Sequence, residues 1–225
     1  MRALILPALL VASSSFAATV TETRKVPDFT EIEVSDGVAL EVKKGATSLT
    51  LEGDDAAVAQ FSTEVVDGRL RLHRKSKDWL RSKQRLVVRV STPSLTRLDA
   101  SGGVDARLES VTGKSFKAEL SGGVELDAKA IDVEALELEG SGGVNARLVG
   151  RAKTAKLNLS GGVSLKGQQL ELGQVTVDAS GGCDVELTAK DSITGDASGG
   201  VGLTVWGHPA KARVSTSGGA GVEYR

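Results

Sequence analysis

Between Ser101 and Gly219 the tripeptide Ser-Gly-Gly occurs seven times. It opens at Ser101, Ser121, Ser141, Ser160, Ser180, Ser198 and Ser217, in steps of 20, 20, 19, 20, 18 and 19 residues. A fixed period in this range marks a repeat architecture, in which one unit cannot bury its apolar face without its neighbours. On either side of each tripeptide the apolar residues fall on alternate positions. After the glycines they are Val104, Ala106 and Leu108, then Val124, Leu126 and Ala128, then Val144, Ala146 and Leu148. Before the serine they are Leu98 and Ala100, Ala118 and Leu120, Leu157 and Leu159, Val177 and Ala179. Period two is the period of a strand with one buried face. Each unit therefore reads as strand, corner, strand and a short return segment.

Side-chain sizes alternate from copy to copy. Ala106–Leu108 is followed by Leu126–Ala128 and then Ala146–Leu148, while Leu98–Ala100 is followed by Ala118–Leu120 and Leu138–Gly140. Stacked about 4.8 Å apart, large residues would sit over small ones and fill a core. The expected fold is all-β, a single-stranded right-handed parallel β-helix (β-solenoid) with coils of about 20 residues and Ser-Gly-Gly corners. Glycine suits a sharp corner because it reaches positive φ without steric cost. A phosphate-cradling loop would instead open a helix and carry Gly-x-Gly-x-x-Gly or a Gly-Lys-Ser ending. A calcium-binding nonapeptide repeat would have a period near nine. Neither pattern is present.

Residues 1–17 read as a secretory signal: Arg2, the apolar run Ala3–Ala12, and small residues at Ser15 and Ala17. That run is too short to span a bilayer. Residues 18–225 then form one domain, with 48–93 set apart as a hairpin and cap insertion and 94–225 as regular repeats. Thr30–Val42 conceals an eighth copy, in which Ser35-Asp36-Gly37 stands for the tripeptide. Asp36 replaces the first glycine, and aspartate is among the few residues that tolerate the left-handed region. Within 48–93, Leu49 and Leu51 suggest a strand. Asp54 or Asp55 can cap a short helix ending at Gln60, and Asp67-Gly68 suits a hairpin turn. The single cysteine, Cys183, takes an inward valine position and reads as a small buried hydrophobe.

The series Val26-Pro-Asp-Phe-Thr-Glu-Ile-Glu-Val34, Ser35-Asp-Gly-Val38, Asp67-Gly-Arg-Leu-Arg-Leu72, Pro93-Ser-Leu-Thr-Arg-Leu98, the serine-glycine corners and Trp206-Gly-His-Pro209 resembles the putative auto-transporter adhesin family with a head GIN domain. The family is bacterial and its function is unknown. The resemblance covers nearly all of the chain after the signal. It implies an exported or envelope β-helix and brings no catalytic residues. Trp206-Gly207 stands where the family often has tyrosine-glycine.

Charge adds limits. Lys and Arg number 28 against 29 Asp and Glu, a net charge of −1, so no global field draws the chain to nucleic acid. With aromatics at 3%, stacking on sugars or bases is poorly supplied. His73 and His208 are the only histidines, too few for a histidine metal cluster or a ready catalytic triad. No catalytic, cofactor-binding or metal-binding residue is nominated.

Two polar columns do stand out. One lies two residues before each serine: Asp99, Glu119, Glu139, Asn158, Asp178 and Asp196. The other lies just past the inward valine: Asp105, Glu125, Asn145, Ser164 and Asp184. Stacked like charges repel, so solvent, neighbouring Arg107, Arg147 and Lys166, or bound cations must relieve them. A solvated outer face is the plain reading. A basic segment, Arg69, Arg71, Arg74, Lys75, Lys77, Arg81, Lys83 and Arg85 around Trp79, reads either as an ordinary charged loop or as a surface for anionic lipid or polysaccharide.

The functional expectation is an exported, non-enzymatic envelope or surface interaction module, located in the periplasm, on the outer membrane surface or outside the cell. Its partners would be an envelope polysaccharide, lipopolysaccharide or a surface protein. A polysaccharide-active β-helical enzyme and a structural spacer are the alternatives. The last repeat, ending at Val222, Glu223 and Tyr224, also predicts a weak end-to-end homodimer.

Overall fold

The computed structural model describes residues 19–75 and 86–225; residues 1–17, read above as a secretory signal, lie outside them. The alternating apolar positions form strands throughout. In chain order these are β1 (Thr19–Arg24), β2 (Glu31–Ser35), β3 (Val38–Lys44), β4 (Ser48–Asp54), helix α1 (Asp55–Ala59), β5 (Phe61–Val66), β6 (Arg69–Arg74) and β7 (Leu86–Thr92). They continue as β8 (Arg97–Ser101), β9 (Asp105–Leu108), the long bending extended run β10 (Val111–Gly181), β11 (Asp184–Gly199), β12 (Gly202–Trp206), β13 (Lys211–Gly218) and β14 (Gly221–Tyr224).

The repeat period sets the register of the parallel pairs. Ser35 pairs with Ser101 and Ser101 with Ser121, and at the other end Ser180 pairs with Ser198 and Ser198 with Ser217. The sheet as a whole is nevertheless mixed. β4 runs antiparallel to both β1 and β7, and β5 runs antiparallel to β6. Ten strands lie on one hydrogen-bonded path, β1-β4-β7-β3-β9-β10-β8-β2-β6-β5, with β11 to β14 continuing from β10. The expected right-handed parallel β-helix is therefore corrected to a curled mixed sheet, a half-barrel. The physical reason is that a repeat fixes the offset between equivalent strands, whereas the short turn of the β5–β6 hairpin can only be antiparallel, and β4, running back after β3, pairs with β7 and β1.

The inward face carries one apolar cluster. Leu98 lies opposite Ala118, Ala100 opposite Leu120, Ala106 opposite Leu126 and Leu108 opposite Ala128, all buried. The large-over-small alternation thus occurs across paired strands. Glu125 and Glu139 point outward while Val124 and Leu138 are buried.

At every corner the first glycine has positive φ, from 69° at Gly102 to 91° at Gly181, and Asp36 adopts 73° in the eighth copy. The corners stack closely: a Cβ on Gly161 would lie 3.0 Å from the Gly142 nitrogen, and one on Gly181 would lie 2.9 Å from the Gly161 carbonyl oxygen. Bare backbone is what lets successive corners approach to strand spacing.

The segment set apart at 48–93 divides in two. β4, α1 and β5 are additions. Asp54 caps α1, its Oδ1 accepting from the Ala56 N–H at 3.0 Å, and Asp67 and Gly68, both at positive φ, turn the β5–β6 hairpin. By contrast, β6 and β7 extend the parallel ladders, Val34 pairing with Leu72 and Val38 with Leu86. They pair as one more repeat would, with no Ser-Gly-Gly between them in the sequence.

Candidate functional site

The positions two and four residues before each serine project from the outer face of the ladder formed by β6, β2, β8, β10 and β11. With the serines, the positions two before line an open groove of about 970 Å³, and of the positions four before, Arg97 also lines it. Its wall includes Glu33, Asp99, Glu119, Glu139, Asn158 and Asp178, its corner side Ser35, Ser101, Ser121, Ser141, Ser160 and Ser180, and its rim Arg69 and Arg97. Thus five of the six residues in the first polar column come together in one groove. Asp196, the sixth, continues the column in register with Asp178 but does not line it.

Like-charge repulsion along this column is relieved by cations the sequence reading did not nominate for it. Arg69 donates to Glu31 at 2.7 Å and lies 3.2 Å from Asp99. Arg97 donates to Asp99 at 2.8 Å on its own strand and to Glu119 at 2.6 Å on the next. Lys117 reaches Glu119 at 2.8 Å, Glu139 at 2.9 Å and Glu137 at 3.6 Å. Arg71 approaches Glu33 at 3.5 Å. Arg97 and Lys117 each hold a carboxylate on their own rung and on the next, and Arg69 reaches the two rungs beyond its own, so the pairs interlock along the groove.

Position along the groove sets the protonation behaviour. Burial pushes the Asp99 carboxyl above its ordinary range, even though Arg97 and Arg69 pull it down. The hydrogen bond from Lys117 holds Glu119 below its ordinary range. Hydrogen bonds to Glu119 and Glu139 push the Lys117 ammonium up. Beyond Glu139 the column changes character: Asn158 is uncharged, and Asp178 has no ion-pair partner among the described residues.

The other candidates are dispersed. Asp105, Glu125 and Asn145 line a shallow depression of about 290 Å³ on the far side of the corners, where Arg107 lies 3.4 Å from Asp105. Of the basic segment, Arg69 and Arg71 belong to the groove ladder, the Arg74 guanidinium donates to the Asp36 carbonyl at 3.2 Å, and Lys75 donates to the Ala59 carbonyl at 3.3 Å. Lys77, Trp79, Arg81, Lys83 and Arg85 lie outside the described residues. Cys183 is buried, its thiol donating to the Ser180 carbonyl at 3.2 Å. Among the described residues, no helix is long and apolar enough to cross a membrane.

The missed residues are those four positions before the serine: Glu31, Arg97, Lys117, Glu137 and Lys156. Their charges are of both signs, so they form no column of one kind. The signal that could have found them is the same 20-residue register, read two positions earlier.

Solved structures share this fold. A putative adhesin from Bacteroides fragilis NCTC 9343 superposes with a TM-score of 0.83 at 20% identity, covering 92% of this chain and 97% of that one. A putative lipid binding protein from Parabacteroides distasonis ATCC 8503 gives 0.71 at 16% identity, covering 92% and 96%. A putative adhesin from the same organism gives 0.67 at 16% identity, covering 93% and 98%. Among curated proteins, no relative matches the chain. The sequence profile described as "Putative auto-transporter adhesin, head GIN domain" matches residues 28–209, and the chain belongs to that family.

Proposed function

We propose that this protein is an exported, non-enzymatic surface interaction module whose contact face is the groove along the corner serines. The observation that carries this reading is the groove itself, a long open trough of about 970 Å³ with polar side chains repeated on every rung. Family membership and the adhesin descriptions of structural relatives support it. A glycan-cleaving enzyme would need a carboxyl free to deliver a proton. Asp99, whose carboxyl is pushed up, is instead held by Arg97 and faces Arg69.

Two measurements test the proposal together. Fractionation of the producing bacterium should find the chain beyond the inner membrane. Fluorescently labelled purified protein should bind intact cells saturably, and Ser141→Arg with Ser160→Arg, which fill the groove from its corner side, should abolish that binding. Retention in the cytoplasm, or cell binding indifferent to the double substitution, would sink the reading.

A further inference from the structure

We infer that the groove accepts a neutral, polyhydroxylated polymer: a glycan chain bearing no carboxylate, sulfate or phosphate. This rests on the groove being the contact face and names what the face is built to hold. Shape is the first argument. The six rungs from Ser35 to Ser180 run for roughly 24 Å at strand spacing, in an open trough. Such a trough suits a chain that enters and leaves at both ends, whereas a small ligand is usually enclosed.

Chemistry is the second argument. The wall column presents carboxylate oxygens, which only accept, while the corner column presents serine hydroxyls, which donate and accept. Asn158, midway along, offers both functions from one amide. Hydroxyl groups on a ligand need partners of both kinds, and the two columns supply them on each rung.

Charge is the third. The carboxylates of Asp99, Glu119 and Glu139 are already held by Arg97 and Lys117. They are fixed acceptors, and a basic ligand would have to displace those cations to reach them. An anionic chain would meet a wall where acids outnumber bases, a repulsive element of the kind that sets specificity. A neutral chain meets neither obstacle. Among the described residues no aromatic side chain lines the groove, so affinity must accumulate from many individually weak hydrogen bonds and should grow with polymer length.

Native electrophoresis in gels cast with dextran, neutral mannan or heparin tests this, alongside calorimetric titration with polylysine. The expected result is retardation by at least one neutral polymer, none by heparin and no heat with polylysine. Ser141→Arg with Ser160→Arg should remove the retardation, and Glu125→Arg, across the corner, should keep it. Circular dichroism checks that each variant folds. Asn158→Ala, which leaves every ion pair in place, should weaken retention by about tenfold, the loss of one or two hydrogen bonds. Failure of every neutral polymer to retard the chain, or a preference for heparin or polylysine, overturns the inference. If cell binding is still abolished by the double substitution in that case, the groove remains the contact face and only the ligand class is wrong. If cell binding is also absent, both readings fall.

Discussion

Gly142 stacks against Gly122 so closely that a Cβ added to Gly142 would lie 3.2 Å from the Gly122 nitrogen and 3.3 Å from its carbonyl oxygen. Gly142 also has φ 84°. Its neighbour Gly143 has neither constraint: its φ is ordinary, and a Cβ there would meet the Gly122 carbonyl at 3.7 Å. The two glycines of this corner are therefore unequal. The first is demanded by backbone conformation and by stacking and the second is not, whereas at the first tripeptide Gly103 too has positive φ, 79°.

Gly142→Ala should accordingly destabilise by roughly 1–3 kcal/mol, the usual cost of holding a non-glycine residue in a sparsely populated region. Gly143→Ala should stay within about half a kcal/mol. Chemical denaturation of the two variants checks this, and equal losses would show that the corner is not organised by its first glycine.

The inward and outward assignment makes a sharper contrast. Val124→Asp would bury a carboxylate without a partner, costing several kcal/mol, because Val124 is 1% exposed. Glu125→Lys, one residue on and exposed, should change stability by about half a kcal/mol or less. Melting temperatures of the two variants decide the matter.

Much of this was legible beforehand, for identifiable reasons. The serine period determined which residues pair, because parallel strands one repeat apart share a register. Asp36 could be placed in the left-handed region from its alignment with the first glycine. Asp54 and Asp67-Gly68 announced a helix cap and a hairpin through local chemistry alone. What the repeat could not express was strand direction where it stops, so the antiparallel partners β1, β4 and β5 turned an expected parallel β-helix into a mixed half-barrel. The role of β6 and β7 as one further repeat was hidden because no Ser-Gly-Gly stands between them. The groove was half visible: its acids formed a column, but the cations that hold them share their register with Glu31 and Glu137 and so left no uniform trace.

Acid should reveal the ladder. Glu119 is held below its ordinary value by Lys117. Its contribution is therefore present above the unfolded value of about 4.5 and is lost as pH falls through the lower folded value. Asp99 acts in the opposite sense. Its raised carboxyl binds the proton more tightly when folded, so its contribution is full below the unfolded value of 3.8 and fades as pH rises through the folded one. The melting midpoint, measured between pH 7 and 3, should fall at the acid end. Glu119→Gln should flatten that fall and Asp99→Asn should steepen it. Identical profiles for all three proteins would remove the ladder from the account of stability.

The last prediction concerns Lys117, which touches three carboxylates, those of Glu119, Glu137 and Glu139. Its side chain is 27% exposed and those of its partners between 32% and 40%, so water screens each pair and a single one is worth at most about 1 kcal/mol. Removing Lys117 does more than delete one pair, because Glu119 and Glu139 then face each other on successive rungs with less between them. Lys117→Gln should therefore cost about 1 kcal/mol at low salt, and adding Glu139→Gln to it should recover part of the loss, since the repulsion goes with the charge. In about 1 M salt, where screening acts within roughly 3 Å, the cost of Lys117→Gln should shrink towards zero. A loss that persists in high salt and is untouched by Glu139→Gln would mean that Lys117 matters for the packing of its aliphatic stem, with the charge incidental.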